Sequence, residues 1–267
     1  MKRLLCFLCG LFICTICWAD TISLMWMNGD TTHDKTTCTI GDNLNIPAIQ
    51  PTKYGYDFVG WHVKAAHELE YLTVLRGAYI DTGIVFDTNE IEFDIKFTYT
   101  YTGSYARYVF GAGGTGYYGL NSNGYGLFEW GNGGTLDFGY GGVNDRLNLA
   151  PKSTEIYTCN MKISGRIISG KCDDYEAKSL RVTQAVSIPN TIYLGSKNSE
   201  GYSLGGGTDI YYGGSLYYFK IKKDGELVRD FIPVLAPDGI VCFYDKVTKQ
   251  FFYNAGAADF VAGPVKE

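Results

Sequence analysis

The chain has 267 residues and a formal net charge of −5, and it contains 22 Tyr, 15 Phe, 4 Trp and 34 Gly against only three His. The acidic balance, with no basic stripe, argues against nucleic acid as a partner, because neutralising phosphates requires clustered Lys and Arg. Tyr and Trp provide flat amphipathic contact surface, whereas acid–base catalysis usually recruits His or buried carboxylates. The composition therefore favours a protein that binds a ligand over an enzyme.

Residues 1–19 are predicted to be a secretory signal peptide. Lys2 and Arg3 precede an apolar run from Leu4 to Ile16, and Ala19 offers a small residue for cleavage. The run is too short for a comfortable transmembrane helix, and no other stretch approaches the roughly 20 apolar residues that spanning requires. We expect an exported protein of the cell envelope, cell surface or extracellular space, with no transmembrane segment after cleavage.

Four cysteines follow the predicted leader, in a compartment where disulfides persist. A turn around Ser164–Arg166 would place Cys159 and Cys172 nearly opposite one another in a hairpin, which makes them the disulfide candidate. Cys38 and Cys242 either join two regions of the chain or stay reduced, and the sequence leaves both alternatives open.

Residues 20–63 form the first predicted module. They alternate apolar and polar residues, and Tyr56, Phe58 and Gly60 fall on one face of a short strand that follows a turn. The string Pro-Thr-Lys-Tyr-Gly-Tyr-Asp-Phe-Val-Gly-Trp, which ends at Trp61, resembles the Listeria/Bacteroides repeat, also called the internalin-type B repeat. The resemblance implies a small β-grasp-like module of an exported bacterial protein, although Met25–Asp30 lacks the usual Gly-Gly pair.

A polar connector with helix-compatible residues, 64–70, leads to the second predicted domain, residues 71–267. Short strands and glycine-rich turns follow one another there, which is the pattern of an antiparallel β-sandwich or jelly roll. The clearest strand alternates apolar residues from Ile91 to Tyr101 with polar ones from Glu92 to Thr102. Asp224-Gly225 is a strong hairpin signal. The predicted fold class is all-β.

Four segments of this domain also carry a family resemblance: Tyr79–Ile84, Leu227–Val234, Cys242–Asp245 and Phe251–Asn254. They resemble the concanavalin-A-like, laminin-G-like jelly rolls of exported bacterial proteins and phage structural proteins. The resemblance implies a two-sheet sandwich that binds carbohydrate or mediates adhesion. The wider fold also includes glycosidases, so the fold alone does not decide function.

The strand that contains Glu92 and Asp94 has alternating acids, as the catalytic strand of some hydrolases does. Jelly-roll glycosidases resembling laminarinases place three alternating acids on one strand, and retaining hydrolysis needs two carboxyl groups about 5 to 5.5 Å apart. Here Glu92 and Asp94 are followed by Lys96, which occupies the place of the expected second catalytic carboxylate. An alternating strand with its polar face toward water explains all three residues, so no catalytic residue is predicted.

Metal sites also lack a convincing pattern. No cysteine or acid at ligand spacing accompanies the three histidines, which all precede the sandwich: His33, His62 and His67. Calcium occurs in such folds, but Asp81, Asp87 and Asp209 are too scattered to be assigned to a site. No cofactor is predicted.

The candidate binding residues lie in two aromatic and glycine-rich stretches. Sugar rings stack their C–H faces on aromatic rings while their hydroxyls seek amides and carboxylates. The candidates are Tyr117, Tyr118, Tyr125, Trp130 and Tyr140 in one stretch and Tyr202, Asp209 and Tyr211, with the adjoining Tyr212, in the other. The alternative is that many of these rings fill the core. Adjacent strand residues point to opposite faces, so one ring of each Tyr-Tyr pair should face outward.

These patterns predict a non-catalytic carbohydrate-binding or adhesion module of an exported bacterial envelope or surface protein, with a glycan or a surface glycoprotein as partner. The first alternative is a structural or protein–protein interaction module of the envelope or an appendage, with another envelope protein as partner. The second is a degenerate glycoside hydrolase.

Overall fold

The computed structural model describes residues 2–4, 7–8, 11–12, 21–28, 31–39, 56–58, 62–63, 66–99, 107–113, 124–130, 134–141, 145–151, 155–183, 185, 187–199 and 212–266. The chain divides into two compact units. One comprises Met1–His67 with Leu235–Ile240, and the other comprises Glu68–Val234 with Val241–Glu267. In the described residues every regular element is a strand, and none is a helix long and apolar enough to cross a membrane.

The first unit contains seven described strands: β1 (Lys2–Leu4), β2 (Phe7–Leu8), β3 (Leu11–Phe12), β4 (Thr21–Asn28), β5 (Thr31–Thr39), β6 (Tyr56–Phe58) and β7 (His62–Val63). β4 and β5 form an antiparallel pair, and β3 joins β4 on its other side. β6 confirms the strand that was predicted around Tyr56, and it pairs in parallel with β1. The signal peptide and the repeat assignment remain predictions.

The second unit begins at the end of β8 (His67–Glu68), inside the predicted connector. The Leu69 N–H donates to Pro233 O at 2.9 Å, and the Glu70 N–H donates to Pro264 O at 2.8 Å. These contacts make residues 69–70 part of the sandwich, because extended backbone here satisfies its donors on neighbouring chain segments. In the described part of the predicted connector, residues 67–69 are extended.

The remaining described strands of this unit are β9 (Leu72–Val74), β10 (Ile80–Phe86), β11 (Glu90–Thr98), β12 (Arg107–Gly113), β13 (Gly124–Trp130), β14 (Thr135–Gly141), β15 (Arg146–Pro151), β16 (Ile156–Ser164), β17 (Ile167–Cys172), β18 (Lys178–Arg181), β19 (Ile188–Leu194), β20 (Gly214–Lys223), β21 (Glu226–Leu235), β22 (Val241–Asp245), β23 (Gln250–Phe252) and β24 (Phe260–Ala262). Among the described strands, a smaller sheet has the order β10-β19-β12-β13-β14-β15. A larger sheet runs β18-β17-β16-β11-β20-β21-β22-β23, with β8, β9 and β24 beside it.

The two sheets enclose one aromatic core. Along β11, the residues from Ile91 to Phe97 alternate between fully buried apolar side chains and half-buried polar ones, as the sequence predicts. The Phe93 ring lies 4.6 Å from that of Phe110 on the smaller sheet, and Phe110 lies 5.0 Å from Phe219 on the larger one. This packing confirms the predicted all-β antiparallel sandwich.

Two local predictions are also confirmed. β20 and β21 are joined at Asp224 (φ 48°) and Gly225 (φ 82°), which is the positive-φ pair that a two-residue hairpin turn requires. β16 and β17 form the other expected hairpin, in which Cys159 and Cys172 stand opposite each other and form a disulfide. Cys242 is buried in β22, and Cys38 lies in β5, where the structure describes only the backbone.

Candidate functional site

Tyr125 and Tyr140, two of the predicted ligand contacts, lie in the core. They are 0% and 2% exposed, and they stand opposite each other on β13 and β14. The Tyr125 ring packs 6.1 Å from Phe93 and 5.8 Å from Phe86. The expectation that these two rings contact a ligand is therefore corrected, because their positions on the two strands face the larger sheet.

Tyr212 is buried as well, at 0% exposure. Its hydroxyl donates toward Thr98 O and lies 3.1 Å from Ser215 O, so it connects β20 to the end of β11. The other candidates in the two loop stretches, Tyr117, Tyr118, Tyr202, Asp209 and Tyr211, lie outside the described residues. Trp130 ends β13, and the structure describes only its backbone.

The described residues instead place a tyrosine cluster on the solvent face of the larger sheet. We call it the tyrosine platform and define it as Tyr71, Asp94, Lys96, Tyr217 and Tyr218. All five side chains are partly exposed. They come from the residue before β9, from β11 and from β20, so a rigid sheet positions them.

A β-bulge in β20 creates the platform. Lys96 is registered with Tyr218, but the next residue, Phe97, is registered with Leu216, which leaves Tyr217 as the extra residue. An extra residue in one strand breaks the strict alternation of faces. Tyr217 and Tyr218 are consequently both partly exposed, between buried Leu216 and Phe219. The sequence predicts that one ring of each Tyr-Tyr pair faces outward, and in this pair the bulge brings both rings to the surface.

The bulge coincides with a change of neighbouring strand. Gly214–Leu216 of β20 pairs with β9, whereas Phe219–Lys223 pairs with β21. The two tyrosines stand between these two stretches of pairing, so β9 brings Tyr71 beside them. The ring centroids of Tyr71 and Tyr217 are 5.3 Å apart with an angle of 52° between their planes. The two tilted rings form a partly exposed aromatic surface.

Charged groups complete the platform at two points. The ammonium of Lys96 lies 5.1 Å from the centroid of the Tyr217 ring, within the range of a cation–π contact. The Tyr218 hydroxyl donates to Asp94 Oδ1 at 3.0 Å. Burial and the neighbouring Asp94 carboxylate raise the pKa of Tyr218, so this hydroxyl stays protonated and remains a donor.

Other charged side chains on this face of the larger sheet form ion pairs with one another. Lys162 Nζ lies 2.6 Å from Glu90 and 3.3 Å from Glu92, and Lys222 Nζ lies 3.4 Å from the other Glu92 oxygen. Glu92 therefore sits in a solvated ion-pair network, as the non-catalytic interpretation of this strand expects.

The smaller sheet carries a buried cation on its outer side. Lys197 is fully buried, and its ammonium lies 4.9 Å from the centroid of the Tyr108 ring. Desolvation lowers the pKa of Lys197 to about 8. The side chain crosses Gly111, where an added Cβ would lie 3.2 Å from Lys197 Cγ. A glycine at this position lets the lysine pack close to the sheet.

A shallow cleft of about 360 Å³ lies at one edge of the sandwich. β15 forms one wall, the segment before β18 supplies Tyr175 and Glu176, and Lys178 begins β18. The Tyr175 side chain is 42% exposed. It provides a solvent-exposed tyrosine away from the platform and thus a matched reference for mutagenesis. In the part of the chain that the structure describes, no group of three or more His, Cys, Asp or Glu side chains could hold a metal ion.

Comparison with known proteins finds similarity in strand arrangement only. No protein-family model matches the chain, and no curated protein matches it. A proposed carbohydrate-binding protein from Bacteroides ovatus is 10% identical with a TM-score of 0.48, over 92% of this chain and 70% of that one. The CBM40 domain of the Ruminococcus gnavus IT-sialidase, bound to α2,6-sialyllactose, is 13% identical with a TM-score of 0.42, over 61% and 94%.

Domains LG4-5 of the mouse laminin α1 chain are 14% identical with a TM-score of 0.38, over 68% of this chain and 48% of that one. We transfer no residue role and no ligand from these proteins to this chain.

Sequence reasoning missed all three platform tyrosines. The available signal was the Tyr217-Tyr218 pair beside Lys220, which lies in a strand that the sequence does predict. The signal was insufficient because strict alternation assigns one of the two rings to the core. Only the bulge brings both rings to the surface, and it arises from the pairing of β20 with β9, β11 and β21.

Proposed function

We propose that this chain is a non-catalytic carbohydrate-binding module, and that the tyrosine platform is its binding surface. The observation that carries the proposal is the outward-facing pair of Tyr71 and Tyr217, with the ammonium of Lys96 beside it. Exposed rings on a rigid sheet with a few polar groups nearby are the arrangement that sugar recognition uses.

The chemistry of each group fits one part of a sugar. The apolar C–H face of a pyranose stacks on a tyrosine ring, and the tilt between the two rings lets adjacent residues of an oligosaccharide contact one ring each. The Tyr218 hydroxyl donates to Asp94 Oδ1, which leaves Oδ2 of the same carboxylate for a ligand. That oxygen accepts a sugar hydroxyl, and the Lys96 ammonium donates to another. The rings supply contact area and the charged groups supply orientation.

The biological setting is part of the same proposal. The predicted leader and the resemblance of residues 20–63 to the Listeria/Bacteroides repeat support export to a bacterial envelope or surface. In that setting a sugar-binding sandwich acts in adhesion, and its partner is a glycan or a surface glycoprotein. The disulfide between Cys159 and Cys172 is compatible with an oxidising compartment.

The test is binding of the full chain to a broad glycan array, followed by calorimetric titration of the best ligand. Tyr217→Ala should weaken binding about tenfold or more, since truncating a central aromatic contact typically costs at least about 1.4 kcal/mol. Tyr175→Ala removes a more exposed tyrosine, at the edge cleft, and should leave the affinity unchanged.

Three results would overturn the proposal. The first is an absence of binding across the whole array. The second is equal affinity for the wild type and Tyr217→Ala. The third is release of reducing sugar that disappears in Glu92→Gln, which would make the sandwich a hydrolase.

A further inference from the structure

We propose that the tyrosine platform selects saccharides that carry a carboxylate or sulfate group, and that Lys96 is the residue that sets this preference. The inference rests on the proposed carbohydrate-binding function and adds the chemical class of the ligand. It comes from the distribution of charge across the solvent face of β11 and β20.

The lysines of these two strands are not equivalent. Three of the four are ion-paired: Lys220 lies 3.9 Å from Asp230, Lys222 lies 3.4 Å from Glu92, and Lys223 contacts Asp87. The fourth is Lys96, and among the described residues no carboxylate lies within 4 Å of its ammonium. Its contact is the Tyr217 ring instead.

The strand register explains this difference. Glu92 stands between Lys162 and Lys222 on the neighbouring strands, so each of its neighbours carries the opposite charge. Asp94 stands opposite Lys220. Lys96 stands between Thr158 and Tyr218, which are both uncharged. Opposite-charge pairs across strands stabilise a sheet, and the platform is where this pairing stops.

An ammonium that has no ion-pair partner among the described residues and lies beside an aromatic surface defines a ligand with two properties. The ligand needs an apolar ring face for Tyr217 and an anionic substituent for Lys96. Uronic acids and sulfated sugars have both. A hydrogen bond between an ammonium and an anionic oxygen is shorter and about twice as strong as one between neutral groups, so the anionic form of a sugar should outcompete its neutral counterpart.

Asp94 does not cancel this preference. The Tyr218 hydroxyl donates to its Oδ1, so one oxygen of this carboxylate is already engaged within the platform. The Lys220 ammonium lies 5.7 Å from the Tyr218 ring centroid. Lys220 belongs to an ion pair with Asp230, however, and this makes it the matched control for Lys96.

The experiment uses the full chain and an array of matched saccharide pairs: oligogalacturonate against its methyl ester, and sulfated against unsulfated oligosaccharides of one backbone. The wild type should favour the anionic member by about tenfold, and salt should reduce this preference. Lys96→Gln should bind both members of a pair equally, Lys96→Arg should retain the preference, and Lys220→Gln should behave as the wild type. The two kinds of pair distinguish carboxylate from sulfate recognition.

The outcomes separate this inference from the proposed function. If the wild type binds both members equally, or if the preference survives in Lys96→Gln, Lys96 is not the specificity residue and the platform remains a neutral sugar site. If no saccharide binds, or if Tyr217→Ala leaves all binding intact, the proposed function fails and this inference fails with it.

Discussion

Removal of the Cys159–Cys172 disulfide should destabilise the sandwich by about 3 kcal/mol. The bond closes a loop with a sequence separation of 13 residues. In the chain-entropy model, the closure of a loop of about 15 residues lowers the free energy of folding by about 3 kcal/mol at 25 °C, because it restricts the unfolded chain. Both cysteines are fully buried between the central β16 and its neighbour β17. The effect should therefore appear in the stability of the whole sandwich and not in local fraying.

The measurement is urea denaturation of the full chain, with the Cys159→Ala/Cys172→Ala double variant against the wild type. Reductant should lower the midpoint of the wild type toward that of the double variant and should leave the double variant unchanged. A loss below about 1 kcal/mol, or an equal response of both proteins to reductant, would refute the loop-closure account.

Three further predictions follow from buried and loop residues. Tyr125→Phe should leave the free energy of unfolding unchanged or raise it, because the buried Tyr125 hydroxyl has no hydrogen-bond partner among the described residues. Tyr212→Phe should lower the free energy of unfolding by about 1 to 3 kcal/mol, because the carbonyls of Thr98 and Ser215 lose a donor. Chemical denaturation compares the two variants, and equal effects would contradict both placements. Lys197→Met should change the pH dependence of stability. The pKa of about 8 in the folded protein lies below the value of about 10.4 for an unperturbed lysine. Between these two values the unfolded state binds more protons, so the wild type should gain stability, relative to the variant, from pH 8 to 10. A constant difference between the two proteins in denaturation experiments would contradict the burial of this charge. Tyr118→Ala and Trp130→Ala should affect saccharide affinity less than loss of the platform ring, and a larger effect would move the binding site to the loops.

The features that could be predicted from sequence are local ones. The alternation along β11, the Asp224-Gly225 turn and the opposition of Cys159 and Cys172 each depend on a few consecutive residues or on one hairpin. The face that each strand presents to the core is a property of the whole sandwich. This face could be predicted for β11 because its other face carries charges.

The prediction for Tyr125 and Tyr140 was wrong because the sequence does not show which face of a strand packs in the core. Both residues alternate with glycines, so the two faces of β13 and β14 are visible in the sequence, but no charge pattern marks which face packs against the larger sheet. The tyrosines pack in the core, and the glycines lie on the other face. At Gly126 an added Cβ would come within 2.5 Å of Phe110 O, so close approach of the neighbouring backbone explains the glycine better than a bound ligand does.

The platform escaped prediction for a different reason. Its rings come from two segments about 145 residues apart, and the bulge that exposes Tyr217 and Tyr218 arises where β20 changes its partner from β9 to β21. Long-range pairing of this kind has no signature in either segment alone. The charge pattern of Glu92, Asp94 and Lys96 was visible, but its meaning depended on the strands that flank β11.

The most direct test of the central claim is a crystal structure of the full chain with the saccharide that binds best on the array. Our account predicts a sugar ring stacked on Tyr217 and in contact with Tyr71, with an anionic substituent at hydrogen-bond distance from Lys96 Nζ. A saccharide bound in the loop stretches or in the edge cleft beside Tyr175, with the platform free of ligand, would contradict it.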